Sequence, residues 1–354
     1  MKVQERHGAV LTLVLKTAVW ALAALLQTCI SMRAQEAPDI RHLLARAQEG
    51  RVEDQLKLGH AFQFGLGVQR DASQAVSWLL KAANQGDPSA QSDVGYFYMK
   101  GDGVSRDEQK AFLWFQRAAV ENYAPAQFGL AALLLNGDGI RHDIPASVNW
   151  MKRSANQGFQ PAEVNLGIMF ARGIGVASDD TEAVRWFQKA ARQHFAPAEF
   201  LLGTMYATGR GTAKDAVEAD RWYRKAAIQG YALAETNLGA AYEFGLGVPA
   251  DMKEAIKWYR LAAEQADATG CMNLARAYAE ARGVEKDASL AYFWALVAAR
   301  SPSPMAKRPS EAFLQGLRRS ILPERMATIE TQVEDWMQKH PPAPADWVLL
   351  QSQP

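Results

Sequence analysis

Seven aspartates recur at intervals of 36 residues, and acidic side chains at a fixed spacing could hold a row of metal ions. Each of them, however, directly precedes a segment with the apolar periodicity of a helix. An Asp at that position accepts hydrogen bonds from the unpaired amides of the first helical turn and faces the positive helix end. We therefore interpret these residues as helix N-caps: Asp71, Asp107, Asp143, Asp179, Asp215, Asp251 and Asp287.

The other residues that could do chemistry are scattered. No pair of the six histidines has the spacing of metal ligands: His7, His42, His60, His142, His194 and His340. The chain also lacks a phosphate-binding loop, a nucleophile elbow and the zinc-protease motif. Gly-x-Gly sequences recur along the chain without a preceding strand, so helix termination explains them better than nucleotide binding does. We predict no catalytic residue, metal or cofactor.

The two cysteines offer little more. Cys29 lies in the apolar N-terminal segment, so cleavage of that segment would leave Cys271 alone and exclude an intramolecular disulfide. No candidate base accompanies Cys271 in the sequence, which favours a structural thiol over a nucleophile. At intervals of 36 residues from it, the other repeats carry Gln or Glu: Gln55, Gln91, Gln127, Glu163, Glu199 and Glu235.

The period of these aspartates is shared by two further residue types, which indicates a repeat protein. Seven of the ten tryptophans follow it: Trp78, Trp114, Trp150, Trp186, Trp222, Trp258 and Trp294. So do seven glycines: Gly67, Gly103, Gly139, Gly175, Gly211, Gly247 and Gly283. Three residue types that stay in phase without an insertion predict seven structural repeats, at 51–86, 87–122, 123–158, 159–194, 195–230, 231–266 and 267–302.

Each repeat reads as two helices. In the second repeat, apolar residues at helical spacing predict a first helix over 89–99, in which Gly95 lets a facing helix approach closely. Gly101 ends that helix, and Asp107 begins the next. On the second helix, Trp114 is predicted to be the large buried side chain among alanines. Such a pair buries too little apolar surface to be stable alone, so stacked copies must share a continuous core.

The sixth repeat carries a recognisable pattern: Leu238-Gly239-x-x-Tyr242-x-x-Gly245-x-Gly247-Val248-x-x-Asp251, then Ala255, Trp258-Tyr259 and Ala262-Ala263. This pattern resembles the Sel1-like repeat, a relative of the tetratricopeptide repeat. The resemblance covers about residues 51–302 and implies an all-α fold, a right-handed α-solenoid. Departures from the pattern are local: Ala281 for a loop glycine, Leu130-Ala131 for Leu-Gly, and Leu261 and Val297 for a basic residue.

The ends of the chain differ from the repeats. Residues 35–50 read as an N-terminal cap or linker, and 303–340 as C-terminal capping helices. We expect Ser310 to cap the first of these helices and Pro323 to begin the second, with an amphipathic partner-binding helix as the alternative to a cap. The Pro-rich residues 341–354 are expected to form a flexible tail.

The N-terminal residues indicate export. A basic start is followed by an apolar run from Thr17 to Ile30, which suits a signal peptide over 1–34 and is short for a membrane span. An uncleaved inner-membrane anchor and a lipoprotein are the alternatives. We therefore expect a periplasmic or secreted protein of bacterial type, which meets a membrane only through this segment if it is not cleaved.

The resemblance to tetratricopeptide arrays implies that the first helix of each repeat lines a concave face. Two positions on that helix change chemically from repeat to repeat, as expected where a groove encodes a ligand. The candidate partner-binding residues are His60, Tyr96, Lys100, Asn136, Arg172, Phe244, Arg276 and Glu280.

Three functions fit the sequence. The first is a non-catalytic envelope scaffold or adaptor that binds a protein or peptide partner in the groove. The second is an envelope scaffold for polysaccharide export or cell-wall contact. The third is a β-lactamase-like hydrolase, but the relatives with that activity carry a disulfide in each repeat, which this chain cannot form. With 39 basic against 38 acidic residues, the chain has no field to attract nucleic acid, so no nucleic-acid partner is expected.

Overall fold

The computed structural model describes residues 39–137, 141–301 and 304–340, with the side chains of 304–309 left aside. The predicted signal peptide and C-terminal tail lie outside the described residues. Every regular element in the described part is helical, which confirms the all-α prediction. Among these residues, no helix has the length and apolar character needed to cross a bilayer.

The helices alternate between a first and a second helix of each repeat, here called A and B. The A helices are α2 (Val52–Phe64), α4 (Pro88–Lys100), α6 (Ala124–Asn136), α8 (Gln160–Arg172), α10 (Ala196–Thr208), α12 (Ala232–Phe244) and α14 (Ala268–Glu280). The B helices are α3 (Ala72–Asn84), α5 (Glu108–Val120), α7 (Ile144–Asn156), α9 (Asp180–Ala191), α11 (Ala216–Ile228), α13 (Met252–Glu264) and α15 (Ala288–Ala299). The additional helices are α1 (Ile40–Gln48), α16 (Pro304–Leu317), a 3₁₀ turn (Arg318–Ser320) and α17 (Pro323–Lys339).

The chain forms two compact units, one ending at Asp179 and the other beginning at Asp180. Within each unit, helix A packs on helix B of the same repeat, and helix B packs on the next helix A. Each pair shields the apolar side of its neighbour, which is the arrangement of an α-solenoid. The predicted architecture of stacked two-helix repeats is therefore confirmed.

The loop between helices A and B is fixed by backbone bonds that recur in each repeat. In the second repeat, Gly101 ends α4 with φ of 74°, a left-handed conformation that costs glycine little. Asp107 then donates its amide to the carbonyl of Tyr98 at 2.9 Å, which holds the loop against helix A. The Asp107 carboxylate accepts the amide of Lys110 at 2.9 Å and caps α5, as predicted.

The most deeply buried side chain of helix B is not the recurring tryptophan. Phe115, the residue after Trp114, is fully buried, whereas Trp114 itself is half-buried. A Cβ added to Gly95 would meet the Phe115 ring at 2.9 Å, so the glycine of helix A makes room for this ring. The prediction that Trp114 is the large buried side chain was therefore wrong in this repeat, because the helix turns the next residue toward helix A.

The tryptophans of the first five repeats instead lie beneath a cation, and they differ in depth: Trp78 and Trp186 are buried, whereas Trp114, Trp150 and Trp222 are half-buried. One turn after each tryptophan of the first five repeats, a basic side chain covers the indole ring. The distances to the ring centroid range from 3.6 Å for Lys81 over Trp78 to 4.6 Å for Arg117 over Trp114. These cation–π contacts explain why the last turn of helix B carries a basic residue.

The C-terminal helices close the last repeat. Helices α16 and α17 both pack on α15, and Ile329 and Val333 of α17 are buried in the shared core. The Trp336 ring lies 5.5 Å from that of Trp294, edge to face. These contacts confirm the C-terminal helical cap. Ser310 does not cap α16, contrary to prediction: the helix already begins at Pro304, a residue suited to a first helical position, and Ser310 is buried within it.

Candidate functional site

The A helices form one layer of each unit. In the N-terminal unit α4 contacts α6 directly, and in the C-terminal unit α12 contacts α14. The described B helices of successive repeats make no comparable contact. In these two pairs the A helices are thus closer together than the B helices of the same repeats. All eight predicted site residues lie on A helices, at one of two positions a helical turn apart.

In the first repeats, the site contains an ion pair that joins two A helices. His60 of α2 lies 2.7 Å from Asp93 of α4, measured from Nε2 to Oδ2. Burial lowers the pKa of His60, but the hydrogen bond and the negative charge of Asp93 more than compensate, so the pKa is raised above its ordinary value. Asp93 was missed in the sequence, although it lies one turn before the predicted Tyr96 on the same helix.

Tyr96 and Lys100 continue this face of α4. Tyr96 is half-buried, and burial, with a smaller contribution from the charge of Asp102, raises its pKa to about 12. Its hydroxyl therefore stays protonated near neutral pH and can donate a hydrogen bond. Lys100 is exposed at the end of the helix.

The third and fourth repeats place Asn136 and Arg172 at the ends of α6 and α8. Asn136 is half-buried, and within the described part of the chain its Oδ1 is buried without a hydrogen-bond donor. Arg172 is exposed. These residues share the position of Lys100, so the end of helix A presents a different polar group in each of the three repeats.

The C-terminal unit presents Phe244 on α12 and both Arg276 and Glu280 on α14. All three are exposed, and Phe244 is exposed to 65%. Beside Phe244, the side chain of Glu243 is only 8% exposed. It accepts the hydroxyl of Tyr259 at 2.6 Å and forms an ion pair with Arg282. Sequence reasoning missed this acid because its partners, Tyr259 and Arg282, come from helix B and from the loop of the next repeat.

Two possible sources of chemistry can be examined in the structure, a metal site and the thiol of Cys271. Within the described ranges, no group of His, Cys, Asp and Glu side chains could hold a metal ion. Cys271 is fully buried, and its thiol faces the carbonyl of Ala263 at 3.7 Å. Burial, reinforced by the charge of Asp267, raises the pKa of this thiol well above its ordinary value. A buried neutral thiol is a poor nucleophile, so Cys271 serves the packing of its repeat.

The fold and its recurring loop define an α-solenoid of short helical repeats, and the comparison with protein families is more specific. The Sel1 repeat model matches at residues 52–87, 88–121, 124–159, 160–195, 196–231, 232–267 and 268–303. The chain therefore belongs to the Sel1 repeat family.

A solved structure agrees with this assignment. A Sel1 repeat protein from Oxalobacter formigenes is 32% identical, covers 77% of this chain and 80% of its own, and superposes with a TM-score of 0.63. A protective antigen of uropathogenic Escherichia coli is 27% identical over 90% of this chain and 75% of its own, with a TM-score of 0.45. A search of curated proteins finds no match.

Proposed function

We propose that this protein is a non-catalytic scaffold of the cell envelope that binds a protein or an extended peptide on the faces of its A helices. The observation that carries the proposal is the contrast between two classes of position in the repeat. Core positions keep one packing role along the chain, whereas two positions near the end of helix A change in charge, size and polarity.

The contrast is plain when equivalent positions are compared. Every repeat keeps a tryptophan at the same position of helix B. One turn before the end of helix A, by contrast, the residues are His60, Tyr96, Ala132, Ile168, Thr204, Ala240 and Arg276. At the end of that helix they are Phe64, Lys100, Asn136, Arg172, Thr208, Phe244 and Glu280. Ala132 and Ile168 are buried, but the residue at the end of helix A is half-buried or exposed in every repeat. That second position can therefore change without loss of core packing and is free to match a partner.

Two further considerations support the proposal. Sel1 repeats typically serve protein–protein interaction, and seven of them occupy most of this chain. The basic and apolar N-terminal residues suit an export signal, which would place the repeats in the periplasm or outside the cell. Fractionation of cells that express the full chain with a C-terminal tag tests the location. Recovery of the tag from the cytosol alone would contradict it.

Site-directed photocrosslinking tests the binding face. A photoreactive amino acid is placed at Lys100 or Arg172, both exposed at the end of helix A. Matched controls carry it at Leu113 and Asn149, which are exposed on the B helices α5 and α7 of the same unit. The four variants are expressed in envelope-containing cells, illuminated, and the adducts identified by mass spectrometry.

We expect the A-helix variants to capture a protein that the B-helix variants do not. Capture of the same proteins with equal yield from all four positions would contradict a binding face on the A helices. Adducts with glycan instead of protein would favour a scaffold for polysaccharide export or cell-wall contact.

A further inference from the structure

The C-terminal unit exposes an aromatic side chain whose counterpart in the first repeat, within the same sequence motif, is half-buried. Phe-Gly-Leu-Gly-Val occurs at 64–68 and again at 244–248. In the first repeat, the ring of Phe64 lies 6.2 Å from that of His60, one turn earlier on α2, and Phe64 is half-buried. The sixth repeat has Ala240 at the position of His60, and Phe244 is exposed to 65%. The missing side chain at Ala240 thus leaves a large apolar group in solvent.

The neighbouring helix α14 carries a cation without an acidic partner. Arg276 is exposed and forms no ion pair within the described part of the chain. Helix α14 contacts α12, the helix that carries Phe244 and Glu243. Glu243, however, already accepts Tyr259 and pairs with Arg282. Glu280, one turn after Arg276, lies 3.8 Å from Arg282. Each nearby acid therefore faces another partner, and the guanidinium of Arg276 is available to a ligand.

We propose that Phe244 and Arg276 together bind an extended peptide segment of a partner, in which one carboxylate side chain lies beside a large apolar side chain. The inference rests on the proposed function and names the chemistry of its partner at this surface. A guanidinium binds a carboxylate through two parallel hydrogen bonds, which fixes the orientation of the peptide. The apolar side chain of the peptide removes the exposed ring of Phe244 from water.

The charges around Phe244 and Arg276 favour a peptide with a single carboxylate over a polyanion. A polyanion needs several cations to neutralise its charges. Arg276 stands one helical turn from Glu280, and the neighbouring helix α12 carries Glu243. The negative charges of these two glutamates would repel an extended row of phosphates or sulfates. A single carboxylate flanked by apolar and neutral residues avoids that repulsion and matches the guanidinium of Arg276.

Fluorescence anisotropy with the full chain tests this proposal. Three labelled peptides share a Gly-Ser background: one carries adjacent Glu and Leu, the second has Lys in place of Glu, and the third has Ser in place of Leu. We expect the Glu-Leu peptide to bind at least about tenfold more tightly than either of the others. Arg276→Glu should reverse the preference toward the Lys peptide, and Phe244→Ser should abolish the preference for Leu over Ser.

Lys253→Glu is the matched control, because it reverses one exposed cation on a B helix of the same unit. It should leave all three affinities unchanged. Thermal unfolding of each variant verifies its fold, and Arg276→Gln, which removes the charge without reversing it, replaces Arg276→Glu if that variant is unfolded. Arg276→Gln should then bind the Glu and Lys peptides equally.

Equal binding of the three peptides, binding of none, or a preference for Glu that survives Arg276→Glu would overturn the inference. The proposed function has its own readout in the crosslinks from Lys100 and Arg172, which lie in the N-terminal unit. If those crosslinks form while the peptides fail, only this surface is wrong. If both fail, the binding role of the A helices is wrong as well.

Discussion

The early and late repeats differ at one buried position of helix A, although their backbones are alike there. Gln91 of the second repeat donates its amide to the carbonyl of Ala83 at 3.2 Å, eight residues earlier. In the sixth repeat the equivalent residue is Glu235, which is equally buried and accepts Gln265 at 2.8 Å. A carboxylate cannot donate to the equivalent carbonyl, that of Ala227. Only a protonated Glu235 can play the role of Gln91.

The pattern extends beyond these two residues. Gln55 and Gln127 each donate to the carbonyl eight residues earlier, at 3.1 Å, as Gln91 does. Glu199 of the fifth repeat is buried and accepts Gln229 at 2.6 Å, as Glu235 accepts Gln265. The same slot thus holds a neutral donor in the first three repeats and an ionisable group in later ones. Repeats with the same fold can therefore differ in how their stability depends on pH.

The largest expected effect on stability concerns a feature that the early and late repeats share. In both, an aromatic ring of helix B packs against the glycine of helix A. Phe115→Ala in the N-terminal unit and Tyr259→Ala in the C-terminal unit should each cost about 3–5 kcal/mol, because both side chains are fully buried. Trp114→Ala should cost roughly half as much, since Trp114 is half-buried. Urea unfolding followed by circular dichroism provides the measurement. A larger loss from Trp114→Ala than from Phe115→Ala would show that the tryptophan is the main core residue after all.

The second prediction concerns the buried acid. Burial raises the pKa of Glu235 from its ordinary value of 4.5 to about 7, although the hydrogen bond from Gln265 acts in the opposite direction. The unfolded chain then loses its proton at lower pH than the folded one. The contribution of Glu235 to stability is therefore fully present below pH 4.5 and is lost as the pH rises to about 7.

Glu235→Gln should remove this pH dependence. We expect the variant to match the parent at about pH 5 and to be more stable at about pH 9, by roughly 1–3 kcal/mol, since it restores a donor for the carbonyl of Ala227. Gln91→Glu is the reciprocal change and should destabilise the second repeat at high pH only. Hydrogen exchange read from peptides of each repeat distinguishes the two regions. A pH-independent gain from Glu235→Gln would show that this carboxyl is ionised in the folded protein.

These buried acids also mark what the sequence could and could not predict. The period of the repeat, the Asp caps and the loop glycines were predictable, because each depends on bonds within a few residues and recurs along the chain. The ion pair of His60 with Asp93 and the bonds of Glu243 were not, because they join side chains from different helices. The recurrence of a residue type likewise did not predict how deeply its side chain is buried. Trp114 belongs to a series that recurs in every repeat, as the core alanines do, yet it is only half-buried.

The third prediction compares the loop of the last repeat with that of the sixth. Ala281 ends α14 with φ of 56°, where the equivalent Gly245 has φ of 68°. An L-residue pays a steric penalty in this region, so Ala281→Gly should stabilise the protein by about 1 kcal/mol. Gly245→Ala, the matched reverse change, should destabilise it by about the same amount, since only ordinary contacts surround the added methyl group. Thermal melts of the two variants that shift in the same direction would contradict this account.

The smallest effect concerns the cations over the tryptophans, which the first five repeats have and the last two lack. Lys225 lies 3.9 Å from the ring centroid of Trp222, whereas the equivalent residue of the sixth repeat is Leu261, which is exposed. Lys225→Leu should cost about 0.5–1 kcal/mol, the value of a cation–π contact at an exposed site. Leu261→Lys should gain a similar amount over Trp258, and it should also remove an exposed apolar side chain.

A double-mutant cycle isolates the cation–π term, because a changed side chain alters hydration as well as the ring contact. Trp222→Leu is combined with Lys225→Leu, and the coupling free energy is read from urea midpoints. The attraction is electrostatic but short-ranged, so it should persist at moderate salt, unlike an exposed ion pair. A coupling free energy near zero would show that the basic residues of helix B contribute only to solubility. The loss of the cations in the last two repeats would then carry no cost in stability.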